Sequence, residues 1–405
     1  MLSVAFLIDS NVTVGTRAAY PRNLGFLGSR SSCCGSLRAV SESSVVMDRA
    51  FSEVRRLSYA GLDEETLLRE AAERTRRAVP LELYCMLAND PASGLITRAV
   101  LSNPEYGGVA RDALERVQFE DDVAPFGWMV ERRLAALTLS ESTGGKPERA
   151  LRYREVMVPL GVEYEVRGVF ALGGELWGSA SAMREPSSPD FDAREVAYFR
   201  RIAPHLAAGL KAAALRSEAL AEPDGDGSPG VLVLDRADRV VQHTAAAERW
   251  LGELGELGPG WREGEGLPTA VLSMMGALRR ALGPGTDQEG NGVPRLLARA
   301  RSGRWLVLHG ARTEPTPDRG SETALVIEAA GPREVAWLKT SAYGLTKRER
   351  EVVDLVVRGA STRQISRALY ISEYTVQEHL SNVFEKVGER GRRALVKRLY
   401  LDSLP

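Results

Sequence analysis

Near the C-terminus, apolar residues recur at helical spacing. Between Ile371 and Val387, the residues Val376, Leu380, Val383, Phe384 and Val387 fall on one side of a helix, and Tyr374, Gln377, Glu378, Ser381 and Glu385 on the other. Ser372 stands where an N-cap is wanted. Thr362 to Leu369 reads as a second, shorter helix with Ile365, Ala368 and Leu369 inward, and only Tyr370-Ile371 separates the two. Such a pair with so brief a turn is a helix-turn-helix, whose second helix enters the DNA major groove, although periodicity alone also fits part of an α-bundle. A last helix is expected from Arg392 to Leu401, with Leu395, Val396 and Leu399 inward.

Upstream, Asp48 to Val79 has helical spacing in two parts. Phe51, Val54, Leu57 and Tyr59 mark the first; Leu67, Leu68 and Ala71, after Gly61, mark the second, with Asp63 and Thr66 placed to cap it. Leu81–Leu87 and Leu95–Leu101 read as a hairpin about the turn-rich 89–94. A helix near Ala110–Val117 and a short strand near Leu134–Leu139 follow. Val162–Leu172 and Glu175–Met183 then make a second hairpin about Gly173-Gly174, and Phe191–Arg216 a long helix with Val196, Phe199, Ile202, Ala203, Leu206 and Leu210 on one side. That order predicts an α+β domain over 47–221. Residues 222–230 form a polar linker with Pro and Gly breakers. Over 231–331, strand, turn and strand precede a helix at Ala245–Leu251, a helix at Ala270–Leu282, and strands at Arg304–Ala311 and Ala324–Ala329, again α+β. Residues 332–343 connect to an all-α module over 344–405. Residues 1–46 show no period and are interrupted by Pro21, Gly25, Gly28 and Gly35. They are expected to be a disordered tail or, preferably, sequence upstream of a true start at Met47.

Three stretches together resemble the LuxR/NarL-type four-helix DNA-binding domain: Gly344-Leu-Thr-Lys-Arg-Glu-Arg-Glu-Val-Val-Asp-Leu-Val-Val-Arg-Gly359, Ile365-Ser366, and Ser372 through Gly388. The resemblance runs without a gap to about Leu401. It implies a cytoplasmic bacterial regulator that binds double-stranded DNA as a homodimer. The region from Asp48 to about Leu215 is similar to a GAF sensor domain, of the kind that actinobacterial regulators join to a LuxR-type tail, on stretches such as Asn89–Leu95 and Leu176-Trp-Gly178. Residues 231–331 are similar to a PAS-like domain. The fold class expected is therefore multidomain, with GAF-like and PAS-like α+β domains before the helix-turn-helix.

The resemblance implies roles position by position. Gln377, Glu378 and Ser381, with Tyr374 alongside, would face bases; Gln can pair bidentately with adenine and Glu can accept from cytosine. Many relatives carry Lys at the position of Gln377, which puts a direct phosphate or guanine contact from there in doubt. Arg363, Thr375, Asn382, Lys386, Arg392 and Arg393 are placed for phosphate, which orients the protein without carrying sequence information. In the family the last helix makes the dimer contact, which would assign Leu395, Val396 and Leu399 to it; closing the core is the alternative.

Charge adds one distinction. The whole chain carries a formal net charge of −1, so it is not an electrostatic DNA binder overall. From Gly344 onward about a dozen Lys/Arg face about eight Asp/Glu, which leaves the remainder acidic and localises a phosphate-binding surface. Cys33, Cys34 and Cys85 have neither disulfide nor zinc spacing, which fits a reducing cytosol. No run approaches the eighteen or so apolar residues of a membrane span, and Val4–Ile8 lacks the flanks of a secretory signal. Cys85, mid-strand, reads as a small buried hydrophobe, and Trp177 and Trp305 as core. His205, His243 and His309 lack partners at ligand spacing, so no metal and no cofactor is expected, and no nucleophile–base set or phosphate-binding loop suggests an enzyme. A response regulator would need a receiver with an acidic pair after its first strand, which Asp48–Val100 does not offer, and the pocket residues of an acyl-lactone receptor are not visible. The expectation is a one-component regulator gated by an unknown small-molecule or protein effector.

Overall fold

The computed structural model describes residues 32–103, 113–120, 123–220, 227–282, 294–315, 320–331, 334–335, 340 and 343–401. The expected linker lies mostly outside these, as do most of the connector and the start of the helix expected at Ala110. The first helix, α1 (Ser32–Ser58), begins well before Met47, so the reading of 1–46 as irregular is corrected for its last third. Beyond Gly35 that stretch holds no helix breaker.

Helix α2 (Glu64–Ala78) starts where Asp63 accepts hydrogen bonds from the Thr66 amide at 3.0 Å and hydroxyl at 2.6 Å. Strands β1 (Leu83–Asn89) and β2 (Ile96–Leu101) form the first hairpin. Its turn is closed by Asp90, whose carboxylate takes the Ala92 amide and the Ser93 hydroxyl. Helix α3 (Phe126–Glu131), β3 (Ala136–Thr138) and a short α4 (Leu139–Thr143) follow. A capping box between Thr138 and Glu141, of the Thr-x-x-Glu pattern, starts α4. Strands β4 (Tyr164–Leu172) and β5 (Glu175–Arg184) make the second hairpin, and α5 (Ala193–Leu220) is the long helix.

These strands form one antiparallel sheet in the order β2-β1-β5-β4-β3. Strand alternation sends Met86, Ala88, Val166, Phe170, Ala180 and Ala182 to one face, where they pack on α1, α2 and α5. All six residues expected on the inner side of α5 are buried. Close packing excludes side chains at two points. A Cβ on Gly209 would lie 2.8 Å from the Ser58 carbonyl oxygen where α5 crosses α1, and one on Gly178 would lie 2.6 Å from Leu210.

The second sheet contains β6 (Gly230–Leu234), β7 (Val240–His243), β8 (Arg295–Arg299), β9 (Trp305–Arg312) and β10 (Thr323–Ala329), in the order β7-β6-β10-β9-β8. Counted from its own first strand, this is the strand order of the first sheet. Helices α6 (Ala245–Leu254) and α7 (Thr269–Ala281) cover one face through Trp250, Leu251, Val271, Met274 and Met275. Strand β8 was not expected: five residues that begin and end on arginine give too short an alternation to stand out.

The two domains share apolar cores. Leu297, Trp305 and Val307 join the core of the first domain, while Leu87 and Ile96 join that of the second. Polar contacts cross as well. Glu256 accepts from the Ala99 amide at 3.3 Å, Asp90 accepts from the Leu297 amide at 3.3 Å, and buried Arg98 bridges Glu64 and Glu65 to the Leu254 and Arg299 carbonyls. Both Trp177 and Trp305 are buried, as expected.

On the far face of the first sheet sits a buried ionic triad. The Glu165 carboxylate accepts from Arg152 at 2.6 Å, from Arg167 at 3.2 Å and from the Ser181 hydroxyl, and it is 1% exposed. Burial alone would push its pKa up. The two guanidinium charges and the hydroxyl reverse that and hold it at about 2. A carboxyl depressed in the folded state stabilises above its unfolded pKa and loses that contribution as pH falls through the folded value. We therefore expect first-domain stability to fall between about pH 4.5 and 2, by on the order of 3 kcal/mol from this group. Glu165→Gln should remove most of that acid dependence and destabilise at pH 7 by a few kcal/mol; chemical denaturation across pH measures both, and an unchanged pH profile would contradict the triad.

Candidate nucleic-acid interface

The C-terminal domain contains α8 (Lys347–Val357), α9 (Thr362–Leu369), α10 (Glu373–Val387) and α11 (Arg392–Val396), the last continued by a wide helical turn through Leu401. Each of the first three opens on a hydroxyl cap: Thr346, Ser361 and Ser372. Gly388 ends α10 in the left-handed region. The turn between α9 and α10 is made by Tyr370 at φ +54°, a conformation that costs a non-glycine residue roughly 1 kcal/mol. Its ring is 95% exposed.

The division of α10 is as expected. Val376, Leu380, Val383 and Val387 are buried against α8, α9 and α11, and Phe384 is half-buried. On α9, Ile365 is buried and Leu369 packs beside it; Ala368, expected inward, is exposed. Tyr374, Gln377, Glu378 and Ser381 are all exposed with the rest of the chain in place, so neither sheet domain covers them. Asn382 and Arg363 are exposed, and Thr375 is half-buried, its amide bonded to Ser372. Gln377 donates from its amide to the Thr362 hydroxyl at 3.1 Å, which pins it toward the start of α9.

Three phosphate assignments divide. Arg393 is exposed. Arg392 instead donates to the Ala360 carbonyl at 2.7 Å and to the Thr362 hydroxyl at 2.9 Å, bracing the loop before α9. Lys386 is corrected: its ammonium lies 2.9 and 2.7 Å from the two Glu349 oxygens and also reaches the Gly344 carbonyl. Glu349 simultaneously takes the Thr346 amide, so Lys386 ties the end of α10 to the start of α8. Burial would raise the Glu349 pKa, and the hydrogen bonds from Lys386 and Thr346 lower it. The dimer assignment is corrected too. Leu395 and Leu399 are fully buried in the domain's own core and Val396 packs in the neighbouring cluster, so the last helix closes the core with them.

The domain touches the first sheet domain through an ion pair between Arg350 of α8 and Glu175 at the start of β5, with both side chains largely buried. Among the described residues, no group of three His, Cys, Asp or Glu could hold a metal ion, and no helix is long and apolar enough to cross a membrane. His205 bonds Tyr59 at 3.0 Å; His243 and His309 lie within 4 Å of Glu248 and Glu328. Cys85 is only half-buried. It lines a cavity of about 140 Å³ on the far face of the first sheet, and burial pushes its thiol up to about 12.

Residues 343–399 match the family of bacterial regulatory proteins, luxR family. The spore germination protein GerE of Bacillus subtilis is 48% identical over 61 residues, which is 15% of this chain and 82% of that protein. The transcriptional regulatory protein DegU of Brevibacillus brevis is 44% identical over 66 residues, 16% of this chain and 28% of that protein. Among solved structures, a phage VqmA–DPO complex aligns at TM-score 0.25 and 17% identity over 45% of this chain and 84% of that one, too low to carry a fold argument.

Replacing Lys386 by Ala strips a buried carboxylate of its ammonium. The expected cost is roughly 1–3 kcal/mol of local stability, read as faster amide exchange in α8 and α10. The dependence of DNA affinity on salt should stay that of the wild type; a shallower slope would return Lys386 to the phosphate contacts.

Proposed function

Because the chain belongs to the luxR family of bacterial regulatory proteins, we propose that it is a one-component transcription regulator that reads duplex DNA with α10 and takes its signal through the two sheet domains. The single observation that carries the reading is the exposed polar stripe Tyr374, Gln377, Glu378 and Ser381 on a helix whose opposite side is locked into the domain core. A helix held this way can enter a major groove without unfolding anything. Arg363, Asn382 and Arg393 contact phosphate in this reading, and Thr375 sits at the helix start, where backbone amides favour an anion. The protein acts in the cytoplasm as a homodimer on a two-fold operator, through a surface other than Leu395 and Leu399.

The first sheet domain is GAF-like and the second PAS-like in this proposal. The strand order they share, with helices on one face of each sheet, supports reading both as sensor modules. The signal reaches the DNA-binding domain along β5, which carries Ser181 and Met183 at the cavity and Glu175 at the ion pair with Arg350.

Fluorescence anisotropy against promoter fragments at several salt concentrations tests the reading. Affinity should fall steeply with salt and differ between fragments. Gln377→Ala should cost about 1 kcal/mol or more on the preferred fragment and little on random duplex. Arg363→Ala should weaken all fragments alike and reduce the salt slope by about 1. Equal losses from Gln377→Ala on preferred and random DNA would overturn the groove assignment.

A further inference from the structure

The cavity beside Cys85 is built from the far face of the first sheet and the segments facing it. Leu83, Leu87, Ile96, Phe126, Met157 and Met183 are among the apolar residues of its wall. The polar residues of the lining are Tyr84, Ser102, Asn103 and Gln118, and a set of four, Arg152, Glu165, Arg167 and Ser181. Those four already hold one another: Glu165 accepts from both guanidinium groups and from the hydroxyl, while Arg152 also donates to the Val123 carbonyl at 2.6 Å and Arg167 to that of Ala124 at 3.3 Å. The set carries one net positive charge, so a cation is repelled, and an anion could be held only by taking guanidinium hydrogen bonds away from Glu165 or the two carbonyls, which is costly. A thiol at the wall adds a soft, uncharged surface.

Size narrows the guest further. A volume of about 140 Å³ is close to that of an engineered apolar cavity of about 150 Å³ that admits benzene. We propose that this cavity is the first domain's sensory site and that it takes a neutral, compact, predominantly apolar molecule, of the bulk of a single substituted aromatic ring. The proposal rests on the reading of the sheet domains as sensors and adds the chemical class of the signal. A guest pressing on Ser181 and Met183 pushes on the strand whose first residue, Glu175, pairs with Arg350 of the DNA-binding domain.

The test uses the full chain and matched probes: benzyl alcohol and indole as neutral rings, benzoate as the ionised counterpart, each at millimolar concentration. The neutral probes should raise the first-domain melting temperature by roughly 3–6 °C at ten times Kd, and benzoate should not. Filling the cavity with Cys85→Leu, or with Ala113→Leu should the first fail to fold, should raise the melting temperature of the unliganded protein and abolish the response. A larger response to benzoate, no response to either neutral ring, or a response that survives the filled variants overturns the proposal. Duplex-DNA titration of the same samples separates the two claims. DNA binding without a probe response defeats the sensory site alone, whereas absence of DNA binding defeats the regulator reading.

Discussion

Four side chains on one helix decide what this protein can offer another molecule. Val376, Leu380, Val383 and Val387 are each buried, and burial of that kind contributes on the order of 2 kcal/mol per side chain. Because they occupy one stripe of α10, the opposite stripe is left in water. Rotating the helix by one residue would carry Gln377 and Ser381 into the core in place of Val376 and Leu380, at a cost the domain could not meet. The capped starts of α8, α9 and α10, the Arg392 brace and the Lys386–Glu349 pair all hold that orientation. The chemistry that the outward stripe presents is thus a consequence of core packing.

The sheet domains obey a different constraint. Their cores interpenetrate, and backbone amides of one are accepted by carboxylates of the other, as with Ala99 and Glu256. Asp90 and Glu256 are both held above the usual carboxylate range by burial, against hydrogen bonds that pull the other way. The boundary between the two sheet domains is therefore packed and hydrogen-bonded rather than soft. The Glu175–Arg350 pair places one end of β5 directly against the DNA-binding domain.

Much of this was legible in the sequence because the signals were local. Asp63 capping α2, the hairpins about 89–94 and Gly173-Gly174, the inner side of α5 and the two faces of α10 each follow from residues within a turn or two of one another. What could not be read depends on residues far apart. Lys386 has the pattern of a phosphate contact until Glu349, 37 positions earlier, is seen to occupy it. Leu395 and Leu399 are apolar at helical spacing whether they face a partner or their own core, and only the packing distinguishes the two. Cys85 is a strand residue in any reading; that its side chain borders a cavity depends on segments more than thirty positions away, such as those of Phe126 and Met157.

The central claim, that the outward stripe of α10 is the surface that meets DNA, is tested most directly by hydroxyl-radical footprinting of tyrosines in the full chain with and without bound duplex. Tyr374 is 74% exposed and Tyr59, in the first domain, is 62% exposed, so both report in the free protein. Protection of Tyr374 on DNA binding, with Tyr59 unchanged, is the expected result. Bound duplex that leaves Tyr374 as reactive as before would show that another surface does the reading.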